Sequence, residues 1–251
     1  MAGVLGGGLI DLHAHWVPGI DDGARTVDEG VVMLRAMKAL GFALSTATPH
    51  MRPGMFENDK SRIEAAYAAV VAALPSDVPA TQLASEHFFD DTVYGRLLAG
   101  EAVPYPRPAD APANPRAKRS ILVEFSTQGF PVRLDHRLVD LGRKGLRMTV
   151  AHPERYRPVW ENDSVLDPLL DNGAYLLLDV CALVGKYGAA AEKAARKLLE
   201  DEAYEAACTD AHRPADLDEC AKAFEALVAA VGAEEARRLF VDGPRRILVA
   251  G

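Results

Sequence analysis

Short apolar stretches alternate along the chain with longer segments whose apolar residues recur every three or four positions. Seven of the short stretches have the character of buried strands. Six of these end in a His, Asp or Glu residue: 9–15, 44–50, 82–87, 121–124, 148–152 and 206–212. The alternation favours a βα barrel or a doubly wound sheet over an all-helical fold. In a parallel barrel the carboxyl ends of all strands meet at one face, so these polar residues would converge there.

The longer segments predict helices. Segment 26–40 is followed by the stop signal Gly41 and places four apolar residues on one face: Val27, Val31, Leu34 and Met37. Segment 58–74 has the same plan, with an apolar face formed by Ile63, Tyr67, Val70, Val71 and Leu74. Further helices are predicted over 134–141, 165–170, 189–199 and 217–231, and segment 233–240 is predicted to pack as a closing element.

Two segments follow neither pattern. Residues 1–8 are small and uncharged, lack a basic start, and are too short for a signal peptide or a membrane span, so they predict a frayed lead-in. Residues 104–119 contain five prolines and four basic residues and predict an exposed surface loop with polyproline character. A lid or partner-docking role is the alternative for this loop.

Length and composition predict one compact domain spanning 1–251, since 251 residues with 49% apolar and 25% charged content is ordinary globular usage. The net charge of −8 and the absence of a dense Lys/Arg block argue against a nucleic-acid partner. We expect no direct membrane insertion. The three cysteines, Cys181, Cys208 and Cys220, form no C-x-x-C pair and favour a reducing, cytoplasmic location.

The first and last of the six strand ends each carry two candidate ligands spaced two residues apart. Residues two apart on a strand point to the same side, so His13 and His15 can both reach one ion. Asp210 and His212 have the same spacing. His152 also ends a strand, and Arg155 follows it by three residues; imidazole suits a metal and guanidinium suits phosphate oxygens. Alone, an H-x-H motif is common by chance.

The remaining candidates are acids and one further histidine. In the Asp21-Asp22-Gly23 turn, we expect Asp21 to cap the following helix while Asp22 reaches a metal. Glu86 and Glu124 follow apolar strands, where a buried carboxylate must be paired or must bind a cation. Surface placement is the alternative, and it is weaker for Glu124. His50, after Pro49, is ambiguous alone because single histidines are often structural.

These residues, in this order, resemble the polymerase-and-histidinol-phosphatase (PHP) superfamily. Within it the chain resembles the CpsB/CapC-type branch, whose members are bacterial, manganese-dependent protein tyrosine phosphatases linked to capsular and exopolysaccharide synthesis. The resemblance covers nearly the whole chain. It is carried by DLHAH at 11–15, GIDDG at 19–23, TPH at 48–50, GMFE at 54–57, HPERY at 152–156, DAH at 210–212 and FVDGPRRI at 240–247.

The resemblance implies a distorted (β/α)7 TIM-like barrel forming a single PHP-type catalytic domain with three divalent metal ions. One ion would be held by His13, His15, Glu86 and Asp210. A second would be held by Glu86, Glu124 and His152, and the third by Asp22, His50 and His212. Nitrogen and oxygen ligands suit Mn²⁺, Zn²⁺ or Fe²⁺. The resemblance favours Mn²⁺.

The implied activity is hydrolysis of phosphotyrosine by a metal-activated hydroxide, on the flexible tail of a bacterial tyrosine kinase. Arg155 would neutralise the phosphate oxygens, aided by Arg213 or Arg52. The branch usually has an arginine several residues after the last Asp-x-His motif, but 214–218 contains none, which leaves Arg213 as the candidate. Loops 51–57, 88–91 and 125–132 are candidates for substrate contact, with ordinary packing at the barrel mouth as the alternative.

The sequence bears on three other functions. A cysteine-based phosphatase is disfavoured because no cysteine has an arginine six residues later: Tyr187, Pro214 and Ala226 occupy those positions. A small-molecule phosphatase of the histidinol-phosphate kind and a non-catalytic, metal-stabilised interaction protein remain as alternatives.

Overall fold

The computed structural model describes residues 4–111, 114 and 117–249. Over these residues the chain forms nine strands that pair in parallel. Three make one sheet in the order β1-β2-β4, and six make a second sheet in the order β3-β5-β6-β7-β8-β9. Their bounds are β1 Leu9–Ala14, β2 Phe42–Ala47, β3 His50–Met51, β4 Ala80–Leu83, β5 Glu86–Phe88, β6 Arg119–Glu124, β7 Leu146–Ala151, β8 Tyr175–Asp179 and β9 Ala206–Cys208.

The two sheets join into one closed barrel. β2 leads into β3 across Thr48 and Pro49, and β4 leads into β5 across Ala84 and Ser85. The nine strands are therefore seven strand paths, two of them broken near their carboxyl ends. The barrel closes where Ala211, just after β9, forms a bridge with Ala14 at the end of β1. The predicted distorted seven-stranded α/β barrel is confirmed.

The helices lie between the strands and around the barrel. Over the described residues they are α1 Val27–Leu40, α2 Lys60–Val71, α3 Asp91–Leu98, α4 Leu134–Arg143, α5 Arg157–Glu161, α6 Asp167–Asp171, α7 Ala189–Glu200, α8 Pro214–Phe240 and α9 Asp242–Val249. Short 3₁₀ turns occupy Pro153–Arg155, Asp163–Leu166 and Val180–Val184. No helix within the described parts of the chain is long and apolar enough to cross a membrane.

Helix α1 has the expected ends but a different buried face. Thr26 is its N-cap and accepts a hydrogen bond from the backbone N–H of Glu29. Gly41 ends the helix in the left-handed conformation, with φ of 105°. The predicted face is wrong at Val27, which is 38% exposed, because the helix buries Met33 together with Leu34 and Met37.

The later helices agree with the sequence in part. The predicted helix 217–231 and the predicted closing element 233–240 both belong to α8, which breaks at Gly232, where φ is 82° and ψ is 163°. The segment predicted as one helix over 165–170 is a 3₁₀ turn followed by α6. Helices α3, α5 and α9 have no counterpart among the predicted helices.

Two segments expected to be loose are packed in part. Leu5 is only 5% exposed, and Arg237 donates hydrogen bonds to the carbonyls of Leu5 and Gly7, so the frayed lead-in is wrong for residues 4–8. Residues 1–3 lie outside the described part of the chain. At the start of the proline-rich loop, Tyr105 is buried and its hydroxyl donates to the Leu12 carbonyl at 3.0 Å. The prediction of an exposed loop is therefore wrong there, and Arg119 already belongs to β6. Residues 112, 113, 115 and 116 are not described.

Apolar side chains from the strands and from α9 fill the barrel interior. Alternate residues of a strand face opposite sides. In β6, Ile121 and Val123 join the large apolar cluster, whereas Leu122 joins a smaller cluster that contains residues of several strands. Ile247 and Leu248 of α9 belong to the smaller cluster, and Ser120 donates a hydrogen bond to the Ile247 carbonyl. The interior is thus a packed core, as is usual in such barrels.

Candidate metal centre

A polar cleft of about 100 Å³ opens at the carboxyl ends of the strands. Two of its walls carry arginines, and the hairpin after β3 contributes two apolar side chains. The described residues that line it are Asp22, His50, Arg52, Met55, Phe56, Glu86, Glu124, His152, Arg155, Asp210 and His212. His13 and His15, at the end of β1, are fully buried beside these residues. The barrel therefore brings all nine predicted ligand positions together.

Glu86, the first residue of β5, lies at the centre of the group. One carboxylate oxygen, Oε1, is 3.4 Å from Nε2 of His13 and 3.1 Å from Nε2 of His152. The other, Oε2, is 3.5 Å from Nε2 of His15 and 3.0 Å from Nδ1 of His50. One buried carboxylate thus contacts histidines from three different strand ends, which is the position expected for a bridging ligand.

Asp210 and Asp22 organise the two flanks of the group. Oδ1 of Asp210 is 3.1 Å from Nε2 of His13 and 3.4 Å from Nε2 of His15. Oδ1 of Asp22 is 3.4 Å from Nε2 of His50 and 3.5 Å from Nε2 of His212. The two flanks are separated by His15, whose ring stacks on that of His212 with centroids 4.0 Å apart.

Four overlapping sets of side chains have ligand atoms within 4.8 Å of one another. They are His15, Asp22, His50 and His212; His13, His152 and Asp210; His13, His15 and Glu86; and His50, Glu86 and Glu124. The set expected for the third ion is intact, with His15 added. Glu124 groups with His50, whereas His152 groups with His13 and Asp210. The geometry thus divides the nine residues differently from the family pattern.

The donor atoms fit a cation because they are buried and unsatisfied. Within the described residues, no hydrogen-bond partner is found for Nε2 of His13, Nε2 of His15, Nδ1 of His50, Oε2 of Glu124 or Oδ1 of Asp210. A buried polar atom without a partner costs about 1–3 kcal/mol. Five such atoms around one cleft would be expensive unless a cation satisfies them, and a purely nitrogen and oxygen donor set suits Mn²⁺, Zn²⁺ or Fe²⁺.

Contacts behind the ligands fix their ring orientation. Nδ1 of His13 is 2.6 Å from the Thr48 hydroxyl. Nδ1 of His15 is 2.8 Å from Oδ2 of Asp21, so each ring turns Nε2 toward the cleft. The expectation that Asp21 caps α1 is wrong, because Thr26 is the N-cap. Oδ1 of Asp21 accepts a hydrogen bond from the backbone N–H of Gly23, so the predicted Asp-Gly turn is present. The turn places the other carboxylate oxygen of Asp21 beside His15.

The carboxylates and histidines shift one another's protonation. Burial alone would lower the pKa of His13, but the charges of Asp210 and Glu86 outweigh it and raise that pKa. Burial would raise the pKa of Glu86, but the neighbouring histidines hold it well below its usual range. Burial and the charge of Glu86 raise the pKa of Glu124 to about 7. The opposite shifts of His13 and Glu86 show that each stabilises the charged form of the other.

Two of the candidate ligands have strained backbones. His152 has φ of 35° and Asp210 has φ of 44°, in the left-handed region that non-glycine residues seldom adopt. His152 directly follows β7, and Asp210 lies two residues after the end of β9. Such strain costs about 1–3 kcal/mol and tends to persist at functional sites, where the surrounding structure enforces it. The strain turns both side chains into the cleft.

The three candidate arginines occupy different places. Nη1 of Arg155 is 2.7 Å from Oδ2 of Asp210. Nη1 of Arg52 is 3.6 Å from Oε2 of Glu124, and both arginines line the cleft. Arg213 is exposed, is the N-cap residue of α8, and is not among the residues lining the cleft.

Aromatic rings support both cleft arginines. The Arg155 guanidinium lies 4.4 Å from the ring centroid of Tyr187, and that of Arg52 lies 4.0 Å from the ring centroid of Phe88. Planar guanidinium stacks on aromatic faces in this way. The sequence gives no signal for this role of Tyr187, because Tyr187 lies in the connection between β8 and α7 with no motif around it.

The barrel and its cleft define a protein with a candidate multinuclear metal centre. Residues 9–249 match the sequence model of a family described as capsular polysaccharide synthesis, CpsB/CapC. The chain belongs to this family, and the resemblance seen in the sequence motifs is confirmed.

Relatives and solved structures agree with the family. The chain is 28% identical to tyrosine-protein phosphatase YwqE of Bacillus subtilis over 208 residues, which cover 81% of this chain and 77% of the relative. It is 26% identical to tyrosine-protein phosphatase CpsB of Streptococcus pneumoniae over 252 residues, which cover 96% of this chain and 98% of the relative. One matching solved structure comes from work on YwqE and CpsB, described as unique metal-dependent tyrosine phosphatases. Its TM-score is 0.79 at 26% identity, and the match covers 96% of this chain and 94% of the solved one. A lactonase of Listeria monocytogenes shares the fold, with a TM-score of 0.61 at 13% identity, and its match covers 96% of this chain and 94% of the lactonase chain.

Proposed function

We propose that this protein is a metal-dependent protein tyrosine phosphatase acting in capsular or exopolysaccharide synthesis. The observation that carries the proposal is the cleft itself, in which buried nitrogen and oxygen atoms without partners converge from the strand ends. Membership of the CpsB/CapC family and the names of the curated relatives support the choice of reaction. The histidinol-phosphate and non-catalytic alternatives have no comparable support.

The proposed ligands are the nine positions identified in the sequence, and the proposed metals are three Mn²⁺ ions. The overlapping ligand sets support more than one ion, with Glu86 shared between them. Divalent ions in such a site lower the pKa of water, orient it toward phosphorus and offset negative charge on the phosphate. They are held by His13, His15, Asp22, His50, Glu86, Glu124, His152, Asp210 and His212.

In the proposed reaction, the oxygen of water forms a bond to phosphorus while the bond from phosphorus to the tyrosyl oxygen breaks. The electron pair of that bond leaves with the phenolate, which then takes up a proton, so the products are tyrosine and inorganic phosphate. A phenol has a pKa near 10, so the phenolate needs little help to leave. Arg155 and Arg52 neutralise the non-bridging oxygens. Arg213, the third candidate for this role, lies outside the described lining of the cleft.

The narrow cleft suits an extended chain better than a folded surface. We therefore take the substrate to be a flexible phosphorylated segment, the tail of a bacterial tyrosine kinase. A comparison of kcat/KM for tail peptides and for the same phosphotyrosine within a folded phosphoprotein tests this. Equal values would argue against tail recognition. The three free buried cysteines agree with a cytoplasmic location.

The direct test is phosphate release by metal-stripped protein, with and without added Mn²⁺, from a phosphotyrosyl peptide and from histidinol phosphate. Bound metal is counted in the same preparation. We expect Mn²⁺-dependent turnover of the peptide in preference to histidinol phosphate. Three bound ions without turnover of either substrate would contradict the proposed reaction while supporting the proposed site.

Substitutions separate this mechanism from cysteine chemistry. His152→Ala or Asp210→Ala removes a ligand and is expected to abolish turnover. Cys208→Ser is the matched control, because the Cys208 thiol is buried and donates to the Leu178 carbonyl. Burial also raises the pKa of Cys208 well above its usual value, so it is not a thiolate nucleophile. Retained activity in the ligand variants, or its loss in Cys208→Ser, would contradict the mechanism.

A further inference from the structure

The cleft has a single apolar edge. Of the eleven described residues that line it, nine are charged or are histidines. The two exceptions, Met55 and Phe56, are adjacent in the chain and belong to the loop after β3. Met55 is 59% exposed, one of the most exposed large apolar side chains within the described residues. A substrate whose phosphate is held by the polar part of the cleft would meet apolar surface only on this side.

The loop is a fixed turn. Backbone N–H groups of Met55 and Phe56 both donate to the Arg52 carbonyl, at 3.1 and 2.8 Å, and Arg52 and Phe56 form a bridge. Gly54 provides the left-handed residue that the turn requires, with φ of 85°. We call residues 52–56 the Met55 hairpin.

The base of the Met55 hairpin is tied to the barrel mouth. The buried amide of Asn58 donates to the carbonyls of His50 and Ile20, at 2.8 and 2.9 Å. The ring of Phe56 stacks on that of His50, with centroids 5.2 Å apart and an angle of 9° between the planes. The apolar edge is therefore held at a set position directly beside a candidate metal ligand.

We propose that the Met55 hairpin binds the aromatic ring of the substrate, and so makes the site selective for aryl over alkyl phosphate monoesters. The inference rests on the proposed function, because it takes the phosphate to lie among the candidate metal ligands. In an aryl ester the ring is attached directly to the bridging oxygen, so it must lie against the nearest wall of the cleft. A methionine thioether packs well on an aromatic ring, and an exposed one has most of its surface available.

The other aromatic residues near the cleft are already engaged. Phe88 is covered by the guanidinium of Arg52, and Phe125 packs edge-on against Phe89 and Tyr156 in the core. Tyr187 supports Arg155. Among the described residues this leaves the exposed side of the Met55 hairpin as the apolar surface open to a substrate ring.

The test compares binding of two inhibitors that cannot be hydrolysed, phenylphosphonate and methylphosphonate, to Mn²⁺-loaded protein by calorimetry. Both present a phosphonate, and only one presents a ring. We expect wild-type protein to bind phenylphosphonate more tightly, and Met55→Ala to lose about tenfold in that affinity with less than about twofold change for methylphosphonate. Phe56→Leu, which keeps apolar bulk but not the flat ring, is expected to reduce the same ratio. Val139→Ala is the matched control, since Val139 is 45% exposed on α4 and does not line the cleft.

Metal content is counted in every variant, so that a change at His50 would be seen separately. An unchanged ratio of the two affinities in Met55→Ala and Phe56→Leu, or equal losses for both phosphonates, would overturn the inference. Because the experiment measures phosphonate affinity, its result does not depend on whether the protein turns over a substrate. Failure of the proposed function would appear as no hydrolysis of any phosphate monoester by metal-loaded wild-type protein, whatever the phosphonate ratio.

Discussion

At the scale of single residues, the side chains behind the candidate ligands decide which atoms face the cleft. Asp21 is the clearest case. Its Oδ2 lies 2.8 Å from Nδ1 of His15 and also accepts from the backbone N–H of His50, so one acid orients two candidate ligands. Burial would raise the pKa of Asp21, but the charge of His15 lowers it, which keeps the acid ionised and able to accept.

Asp21→Ala is expected to weaken metal binding by about 10- to 100-fold, as the loss of such an outer contact does elsewhere. The His15 ring would be free to turn, and Nε2 would no longer be held toward the cleft. Competition with a chelator measures the Kd for Mn²⁺. Asp28→Ala is the control, because Asp28 is an exposed acid in the first turn of α1. An equal Kd in both variants would contradict the assigned role of Asp21.

Asp179, at the end of β8, carries a different prediction. It is fully buried, and burial together with the charge of Asp210 raises its pKa from 3.8 to about 6. The folded protein therefore binds this proton more tightly than the unfolded chain does. The resulting stabilisation is complete below the unfolded pKa and is lost as the pH rises through about 6.

Asp179→Asn has nearly the same shape and no charge to bury. Relative to this variant, wild-type protein is expected to lose about 2.5 kcal/mol in free energy of unfolding between pH 4 and pH 7, from about 1.36 kcal/mol per pH unit separating the two pKa values. Urea unfolding of both metal-stripped proteins across this range measures the difference. A difference that does not change with pH would contradict the raised pKa.

The sequence predicted which residues reach the cleft better than it predicted how they are held. His13, His15 and Asp210 could be recognised because strand spacing alone sets the side they face. Asp21 was misassigned because an acid in an Asp-Asp-Gly turn suits a helix cap and a histidine acceptor equally well. The choice depends on how the loop folds back over His15, which local sequence does not determine.

At the scale of elements, glycines let α1 and its preceding loop approach the end of β1. A Cβ on Gly30 would lie 2.4 Å from the carbonyl oxygen of Trp16, and one on Gly23 would lie 2.0 Å from that of His15. Both contacts are with backbone, which cannot move aside without displacing the strand end that carries His13 and His15. The close approach of α1 thus helps to place the candidate ligands.

Gly30→Ala is expected to lower the free energy of unfolding by about 1–3 kcal/mol, because the added methyl group forces α1 away from β1. Gly95→Ala is the matched control. Gly95 is also in a helix, α3, but a Cβ there meets nothing within 4 Å. It is expected to stabilise the protein by about 0.5–1 kcal/mol through better helix propensity. Chemical denaturation measures both, and equal effects would rule out the contact with Trp16.

Periodicity predicted the long elements and failed on the short ones. Helix α8 breaks at Gly232, directly between the predicted helix 217–231 and the predicted closing element 233–240. Helix α3 has only eight residues and two buried side chains, Val93 and Leu97, which is too little for a periodic signal. The wrong face of α1 has a similar origin. Met33 is buried by the approach of the helix to the strand end, a tertiary contact that spacing does not reveal.

At the scale of the whole molecule, the closed barrel is what turns scattered residues into one site. The fold and the nine positions could be predicted because every candidate ligand lies at or just beyond the carboxyl end of a strand or in the loop that follows. Which ligands share an ion could not, because that depends on breaks such as the one at Pro49, which displace His50 along the barrel wall. Such displacements are set by packing among all the strands.

The seam between the last and first strands gives the final prediction. β9 meets β1 through the bridge from Ala211 to Ala14 and through the Asp210 backbone N–H donating to the His13 carbonyl. His13 and Asp210 also share a ligand set, so a bound cation would tie the two edges together. A metal ion that binds the folded protein and not the unfolded chain raises the free energy of unfolding. The increase is about 2.7 kcal/mol per site when the free metal concentration is 100 times Kd.

Removal of metal by a chelator is therefore expected to lower Tm by about 5–10 °C per site, since 1 kcal/mol corresponds to about 2–4 °C in a domain of this size. Added Mn²⁺ should restore it. Glu86→Gln keeps the shape of the central residue but loses the charge that contacts four histidines, so its Tm should hardly respond to Mn²⁺, whereas Asp28→Ala should respond like wild type. Hydrogen exchange locates the effect: on metal removal, the amides of His15 and Asp210 at the seam should lose protection before those in the middle of β6 and β7. Uniform loss of protection across the barrel, or a Tm insensitive to metal, would mean that the cation does not hold the seam.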